Sequence, residues 1–342
     1  MLYECETLKT LQSLMKIFFY TNVNSKKKPI KMLNLIILVT EDDRSGQSHF
    51  FLDLANLNNI PNYPNINCHI RYYSLKNHGN YHFHFHKDGH KMEPIPPLKN
   101  MDDVEYLKLA CDFLDECYIE NETNAFIFSS HCWNFSWRPH RRNINSFPVV
   151  QHMEKQQMKF KFILFDCCNT SCIETLYMYR NVTDYLIGCQ SACPAIGFLT
   201  QDLAHVLSKK ESWISILKKV TNAFLKRNNE HKVKKDLYET DCTILTTKYA
   251  DQIPNLFNGV TFFRDQKART QPTPQERTIF DLVTLLKTQD QIDKDKKQDI
   301  MKWVKKTILS YKQSNLMKTK SWAHKLHGIS IILNREKVVK KL

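Results

Sequence analysis

The sequence predicts an α/β fold in which a central, mostly parallel β-sheet is covered by helices on both faces. Apolar runs at residues 35–39 and 162–165 are continuous rather than alternating, which is typical of strands buried on both faces. Segments with helical spacing of apolar residues alternate with such runs along the chain. The sequence contains no internal repeat, so one α/β domain with terminal elaborations is the simplest architecture.

The length and composition of the chain limit the possible domain organisation and the class of protein. The chain has 342 residues, 42% hydrophobic and 11% aromatic, which suffices for a large ordered core. We predict an N-terminal extension at residues 1–31, an α/β core at residues 32–263, and a basic, mainly helical C-terminal elaboration at residues 264–342 that ends in a sheet strand. Lys and Arg number 49 against 35 Asp and Glu. Because the lysines are spread widely, we do not expect nucleic acid to be a partner.

The cysteines indicate the cellular compartment. There are eleven, an odd number, with irregular spacing and one adjacent pair, which fits neither a disulfide framework nor a CxxC…CxxC zinc site. A reducing, cytoplasmic location is therefore expected. The apolar patch at residues 14–20 is interrupted by Lys16 and lacks the order of a secretory signal. No run approaches the roughly 18 apolar residues that span a bilayer, so we expect a soluble protein without a membrane partner.

The first half of the core is predicted to alternate strands and helices. A helix at residues 100–118 is indicated by apolar residues three and four positions apart, with Asn100 as its cap. Cys111 and Cys117, on the apolar face of this helix, are interpreted as core residues rather than metal ligands. The other elements predicted here are strands at residues 32–39, 66–75 and 125–128 and a helix at residues 48–57.

A strict alternation of aromatic residues and histidines occupies residues 81–86. Period-two spacing places His82, His84 and His86 on one face of a strand. Three imidazoles can hold a metal ion, but alternate residues diverge along a strand, and no cysteine or carboxylate ligand is evident beside them. We therefore favour an edge hairpin whose histidines lie in solvent, and we predict no metal site.

The second half of the chain begins with residues 133–159, which are polar, aromatic and basic without clear periodicity and are predicted to be a long surface loop. The apolar run at residues 162–165 is predicted to be the central strand. A helix should follow it, because Ile173, Leu176 and Tyr177 recur at helical spacing. The remaining predicted elements are strands at residues 185–188, 243–246 and 329–333 and helices at residues 201–207, 212–226, 274–286 and 296–311.

Two of the predicted core strands end in side chains that together can perform nucleophilic catalysis. His131 follows one strand and Cys168 follows the central strand. Neighbouring strands would bring both to one edge of the sheet, where a histidine can assist ionisation of a thiol. Backbone N–H groups at Cys132 and Cys168 could then form an oxyanion hole. The alternative is a hydrogen-bonded core histidine and an inert buried thiol.

The segments AFIFSSHCW and FILFDCCNTSCIETLYMYRNVTDYLIG resemble those of the clostripain family of cysteine peptidases. In that family one apolar strand ends in His-Gly and a later one ends in Asp-x-Cys. The segments LNLIILVTEDD, NMDDVEYLKLACDFLDE, CTILTTKYADQIPNL and HGISIILN resemble other parts of the family in the same order, so the resemblance covers residues 32–334. It implies a caspase-like αβα sandwich of clan CD, with residues 32–263 as the peptidase core.

The resemblance also implies roles for individual residues. Cys168, two residues after the aspartate, corresponds to the nucleophile of the family, and His131 corresponds to the catalytic base. Asp166 corresponds to the acidic residue at the floor of the pocket that binds the side chain before the scissile bond. An aspartate there favours Arg or Lys. The implied activity is a thiol endopeptidase that cleaves after Arg or Lys through an acyl-enzyme.

Relatives of this kind can be activated by cleavage after a basic residue between the histidine and cysteine strands, and Arg141 and Arg142 lie in that interval. They are therefore the predicted self-cleavage sites. No cofactor is expected, although some relatives depend on calcium and the resemblance leaves that dependence open. The expected partners are proteins or peptides with Arg or Lys before the scissile bond.

The chain departs from the family pattern at three places. Cys132 replaces the glycine after the histidine, residues 189–192 lack the acidic residues found there in relatives, and Cys167 adjoins the nucleophile, where we interpret it as a buried neighbour. These departures support an alternative, a catalytically degenerate homologue that acts by binding or regulation. A basic nucleic-acid-binding protein is the third hypothesis, and it rests on net charge alone.

Overall fold

The computed structural model describes residues 32–41, 63–74, 80–96, 102–130, 132–133, 136–137, 144–191, 193, 197–198, 203–230, 239–264, 279–321 and 323–333. These residues belong to one compact unit that begins at Met32. The predicted extension at residues 1–31 and the predicted helix at residues 48–57 lie outside them. The predicted domain boundaries stay predictions.

The described strands form one large sheet and two small ones. In chain order they are β1 (Leu33–Glu41), β2 (Ile66–Ser74), β3 (Tyr81–His86), β4 (Gly89–Pro94), β5 (Thr123–Ser129), β6 (Cys132–Trp133), β7 (Ser136–Trp137), β8 (Ile144–Asn145), β9 (Phe160–Asp166), β10 (Thr183–Gly188), β11 (Asp241–Thr246), β12 (Ile279–Asp281), β13 (Ile308–Gln313) and β14 (Ser330–Ile332).

The described helices alternate with these strands. In chain order they are α1 (Asp103–Cys117), α2 (Phe147–Lys155), α3 (Ile173–Met178), α4 (Leu203–Leu207), α5 (Trp213–Glu230), α6 (Ile253–Phe257), α7 (Leu282–Thr288), α8 (Lys294–Thr307) and α9 (Asn315–Lys318).

The large sheet has nine described strands in the order β13-β11-β10-β9-β5-β1-β2-β3-β4. Its five central strands, from β10 to β2, are parallel, and an antiparallel pair of strands extends the sheet at each end. Strand β9 lies at the centre and pairs with β5 on one side and β10 on the other. The predicted α/β fold class is therefore confirmed.

Helices cover both faces of the sheet. On one face, strand residues such as Phe126 and Ile163 form a single apolar cluster with residues of α1, α2, α3 and α8. On the other face, the Phe162 ring lies 5.9 Å from the Trp213 ring at the start of α5. Because β9 is covered on both faces, it needs apolar residues at consecutive positions, which is the pattern that predicted it.

The structure corrects several predicted boundaries. The N-cap of α1 is Asp102, whose carboxylate accepts the N–H of Glu105 in a capping box, whereas Asn100 lies outside the described residues. The segment predicted as a loop at residues 133–159 contains α2 and parts of three short strands. Helix α2 forms there because Val149, Val150 and Met153 pack one apolar side of it into the core.

Two predicted helices in the C-terminal region instead contain strands. The segment predicted as a helix at residues 274–286 includes β12, and α7 begins only at Leu282. The helix predicted at residues 296–311 ends at Thr307, and the chain continues as β13, an edge strand of the large sheet. In both cases pairing with another strand overrides the local helical pattern.

Candidate active site

The polar residues at the ends of β5 and β9 lie side by side. The two strands are parallel, and Ser129 pairs with Asp166 at the carboxyl edge of the sheet. The N–H of Ser130 donates to the backbone carbonyl of Asp166 over 3.4 Å. The chain segments that leave these strands therefore start from adjacent points, as ligand-binding edges of α/β sheets require.

The turn that carries Cys168 is tied to the segment after β10. The N–H of Asn169 donates to the carbonyl of Ser191 over 3.0 Å, and the N–H of Thr170 donates to the carbonyl of Cys189 over 2.9 Å. Asn169 adopts the left-handed region at φ 58°, a conformation that asparagine tolerates better than most residues. These bonds fix the backbone on the C-terminal side of the thiol.

The two adjacent cysteines face different environments. Cys168 is half-buried, and its Sγ accepts the backbone N–H of Cys193 over 3.2 Å. A donor at that position stabilises negative charge on the sulfur. Cys167 is buried in the apolar core, and its Sγ donates to the carbonyl of Phe128 over 3.5 Å. Of the pair, Cys168 is therefore the thiol placed for chemistry.

The carboxylate of Asp166 lies beneath this turn and is only 7% exposed. Its Oδ2 accepts the hydroxyl of Ser129 over 3.0 Å, and its Oδ1 accepts the thiol of Cys193 over 3.2 Å. Gly197 closes over it: a Cβ at this residue would lie 2.3 Å from Oδ2, and its φ of 54° also favours glycine. Ser129, Cys193 and Gly197 thus enclose the Asp166 carboxylate, and this enclosure is referred to as the recess.

Burial sets the charge state of this carboxylate. Removal from water raises the pKa of Asp166, while the hydrogen bonds from Cys193 and Ser129, a backbone N–H of Phe198 and the charge of Arg227 act in the opposite direction. Among the residues that the structure describes, all the hydrogen-bond donors to this carboxylate are neutral. A cationic ligand in the recess would therefore favour the ionised carboxylate and would be attracted by it in return.

The structure describes only some of the remaining predicted site residues. His131, Arg141 and Arg142 lie outside the described residues, so their predicted roles stay predictions. The backbone of Cys132, the residue after His131, begins β6. The oxyanion-hole role assigned to the backbone N–H groups of Cys132 and Cys168 likewise stays a prediction.

Sequence reasoning missed two residues that shape the recess, Cys193 and Gly197. Both follow β10 in the chain, and neither carries a recognisable motif. The only available signal was the scarcity of glycine, since the chain has seven. A glycine shortly after the strand that follows the Asp-x-Cys motif could have indicated a close backbone approach.

Comparison with known proteins identifies related sequences and folds. A sequence model of the clostripain family (Peptidase C11) matches residues 99–337, which is more than half of the chain. A search of curated protein sequences found no significant match.

Several solved structures of C11 proteases have the same fold. An inactive zymogen C11 protease from Parabacteroides distasonis has a TM-score of 0.64 at 16% identity, with 91% of this chain and 94% of that chain covered. A secreted C11 cysteine protease from Bacteroides thetaiotaomicron, "iotapain", has a TM-score of 0.67 at 13% identity, with coverages of 89% and 94%. A secreted C11 cysteine protease from the same organism, in complex with an irreversible peptide inhibitor, has a TM-score of 0.65 at 15% identity, with coverages of 90% and 94%. At these identities the similarity establishes the fold.

Two further observations concern the environment of the protein. The nine cysteines whose side chains the structure describes are all free thiols. Within the described ranges, every helix is too short or too polar to cross a lipid bilayer.

Proposed function

Because the chain belongs to the clostripain family of cysteine peptidases, we propose that it is an endopeptidase that cleaves peptide bonds after Arg or Lys. In this proposal Cys168 attacks the scissile carbonyl and His131 accepts its proton and later returns it to the leaving amine. The backbone N–H groups of Cys132 and Cys168 stabilise the oxyanion in the transition state. Water then hydrolyses the acyl-enzyme.

The observation that carries the substrate preference is the buried carboxylate of Asp166 two residues before a half-buried thiol. Among the described residues, the groups that donate hydrogen bonds to Asp166, including Ser129 and Cys193, are neutral, so none of them supplies a positive charge beside the carboxylate. The guanidinium of Arg or the ammonium of Lys supplies that charge and replaces a weak thiol hydrogen bond with a charge-assisted one. An acidic or apolar side chain would leave the carboxylate uncompensated.

Fluorogenic peptides that differ only at the residue before the leaving group test this proposal. We expect kcat/KM to be highest for Arg and Lys and lower by at least about a hundredfold for Leu and Asp, because a buried charge pair is lost with the latter. The assay is run with added Ca²⁺ and with a chelator, so that any calcium dependence of the activity is measured in the same experiment.

The matched variants are Cys168→Ala, His131→Ala and Cys167→Ala. The first two should abolish hydrolysis, whereas Cys167→Ala should retain it because that thiol lies in the core. Equal hydrolysis of Leu and Arg peptides would contradict the substrate preference. Absence of hydrolysis with every peptide, together with no labelling of Cys168 by a basic electrophilic probe, would instead favour the degenerate homologue, for which the Cys132 substitution is the supporting observation.

Self-processing after Arg141 or Arg142 is part of the same proposal. Both are basic residues between the two catalytic strand ends, so they satisfy the preference that Asp166 is proposed to impose. Incubated wild-type protein should yield two fragments whose new termini, by mass spectrometry, lie at one of these residues, and Cys168→Ala should stay intact. A single intact chain for both proteins would contradict self-processing without affecting cleavage of added peptides.

We also propose that the protein acts in a reducing compartment. The free thiols support this, since an oxidising compartment would modify a nucleophilic cysteine surrounded by other thiols. Thiol alkylation of the protein immediately on lysis of the native cells, followed by mass spectrometry, should find Cys168 reduced. A predominantly oxidised Cys168 would contradict the proposal.

A further inference from the structure

A second cluster of reactive side chains lies on the other half of the sheet, where β2, β3 and the end of α1 meet. It comprises His69 of β2, His82 of β3 and Cys117, the last residue of α1. One nitrogen of each imidazole and the Sγ of Cys117 all lie within 4.8 Å of one another. Two imidazole nitrogens and a sulfur are the ligand set that zinc-class metal ions prefer.

Strand pairing and helix packing bring these residues together. In the antiparallel β2–β3 ladder, His69 pairs with His84, so His82 is its diagonal neighbour on the same face. Helix α1 covers this face, with the Phe113 ring edge-on to His82 at 5.6 Å. The end of α1 is fixed by Asn34, whose amide donates to the carbonyl of Cys117 over 2.6 Å. The histidines are therefore not in solvent as the sequence predicted: the side chain of His82 is 12% exposed.

Each histidine of this cluster has one ring nitrogen that lacks a hydrogen-bond partner among the described residues. His69 Nδ1 and His82 Nε2 are buried, and neither has a hydrogen-bond partner among the residues that the structure describes. Buried polar atoms of this kind are uncommon in folded proteins, because each costs the free energy of desolvation without a compensating bond. A ligand that accepts both lone pairs would remove this cost.

The outward nitrogens of both rings have partners that orient them. His82 Nδ1 faces Glu116 Oε1 at 3.4 Å, an arrangement that places the ring proton on Nδ1 and leaves the lone pair of Nε2 directed at the cluster. His69 Nε2 lies 3.0 Å from the side-chain amide nitrogen of Asn67. A metal at His69 Nδ1 requires the ring proton on Nε2, so the Asn67 amide must rotate to present its oxygen, which gives up its hydrogen bond to Asn34.

The electrostatic environment agrees with this arrangement. Burial, with a smaller contribution from the neighbouring histidines, lowers the pKa of His69 to about 3. Burial also lowers the pKa of His82. Both rings are therefore neutral near neutral pH, which is the form that binds metals. Burial raises the pKa of the Cys117 thiol well above its usual value, so without a cation it stays protonated.

We propose that His69, His82 and Cys117 bind one Zn²⁺ ion through Nδ1, Nε2 and Sγ. Zn–N and Zn–S bonds of about 2.0 and 2.3 Å in a tetrahedral site place the ligand atoms about 3.3 to 3.6 Å apart, so small side-chain rotations from the present positions complete it. Cys117 releases its proton to solvent as the Zn–S bond forms. Water takes the fourth position, and the ion joins the outer strands of the sheet to α1.

The experiment uses the full-length chain in the Cys168→Ala background, which prevents proteolysis and removes the nucleophile as a metal ligand. The protein is stripped with a chelator and reloaded with Zn²⁺, and bound metal is measured by plasma mass spectrometry after gel filtration. Co²⁺ is added separately as a spectroscopic probe. We expect about one ion per chain, a thiolate-to-Co²⁺ charge-transfer band, and strong visible bands that indicate tetrahedral geometry.

Cys117→Ser and His82→Gln are the test variants, with Cys111→Ser on the same helix and His90→Gln on the same hairpin as matched controls. Cys117→Ser should lose the charge-transfer band and, like His82→Gln, should bind Zn²⁺ at least roughly a hundredfold more weakly. The controls should match the parent. Thermal unfolding should show that Zn²⁺ stabilises the parent but neither test variant.

Bound zinc far below one equivalent in the parent would overturn the proposal, as would a charge-transfer band that persists in Cys117→Ser. Circular dichroism of each metal-free variant shows whether it folds. If Cys117→Ser does not, His82→Gln decides the question, because loss of Zn²⁺ there with retention in His90→Gln supports the site and equal binding overturns it.

Discussion

Two groups of buried carboxylates lie near the carboxyl ends of the central strands, and their partners differ in kind. Asp166 accepts the hydroxyl of Ser129, the thiol of Cys193 and a backbone N–H of Phe198. Asp241, at the start of β11, accepts the backbone N–H of Gln190 over 2.6 Å. Asp281 accepts the Gln190 side-chain amide over 2.8 Å, the backbone N–H and ring nitrogen of His327 over 2.8 and 2.9 Å, and the N–H of a residue in α7.

The different hydrogen-bond partners indicate different roles for the two groups of carboxylates. The network around Gln190 uses strong, directional donors from three distant segments, so it holds the segment after β10 and the C-terminal segment in place. Two of the three donors at Asp166 are instead side chains, a hydroxyl and a thiol, which can rotate away from the carboxylate. We therefore expect a structural role for Asp281 and, under the proposed function, a recognition role for Asp166.

The largest effect on activity is expected when the thiol of Cys168 is removed. Cys168→Ala should reduce kcat/KM for Arg peptides by at least about a thousandfold, because it removes the nucleophile that is proposed to form the acyl-enzyme. Its urea midpoint should match that of the wild type, since the side chain is half-buried and makes only weak contacts. A variant with residual activity above about one per cent would show that a different residue is the nucleophile.

The second effect distinguishes the two carboxylate groups directly. Asp166→Asn should lower kcat/KM for Arg peptides by roughly a hundredfold and leave the value for Leu peptides nearly unchanged, because it removes the charge that a cationic side chain meets. Asp281→Asn should instead destabilise the fold by roughly 3 kcal/mol, as expected when a partner in a buried polar network is altered. The Arg-to-Leu ratio of Asp281→Asn should equal that of the wild type. A lower Arg-to-Leu ratio would show that Asp281 contributes to recognition of the substrate side chain.

The third effect is on the pH dependence of stability. Burial raises the pKa of Asp241 to about 7. Because its folded pKa exceeds its unfolded value, the folded chain holds this proton more tightly, and the stability gained is complete at low pH and lost as the pH rises through 7. Asp241→Asn should therefore gain on the order of 3 kcal/mol relative to the wild type between about pH 5 and pH 8.

Urea unfolding at a series of pH values measures this difference. Asp184→Asn is the control, because Asp184 is exposed and pairs with Lys161 at the surface. Parallel stability curves for Asp241→Asn and the wild type would mean that Asp241 is ionised in the folded chain at every pH tested.

The smallest expected effect concerns Cys193. Its thiol donates to Asp166 and so favours the ionised carboxylate. Cys193→Ala removes that donor, and the acidic limb of the kcat/KM profile for Arg peptides should move to higher pH. The loss near neutral pH should be a few-fold. Cys193→Ser keeps a donor and should resemble the wild type. If the acidic limb of Cys193→Ala were unchanged, a group other than Asp166 would have to cause it.

The sequence predicted the centre of the sheet more accurately than its periphery. Strands β1 and β9 are continuous apolar runs because both faces are covered, and the Asp-x-Cys motif identified the turn after β9. Strand β13 was mistaken for the end of a helix, since its local pattern continues that of α8 and only its pairing with β11 makes it a strand. Local pattern cannot report such a partner.

The histidine cluster shows the same limit. His82 was recognised from the alternation of residues 81–86, but His69 and Cys117 come from other elements and carry no motif of their own. Cys117 was interpreted as a core residue, and it is indeed buried. What the sequence could not provide is the direction in which the end of α1 points, which depends on packing of the whole helix against β2 and β3.

The position of β9 between β5 and β10 has a consequence for folding during synthesis. Strand β9 inserts between β5, which is synthesised earlier, and β10, which is synthesised later, and Cys193 then closes over Asp166. A ribosome-bound chain that ends before Cys193 consequently has the thiol but no finished recess. Under the proposed function, we therefore expect hydrolytic competence to arise only after the segment that follows β10 has been synthesised and has packed onto the sheet.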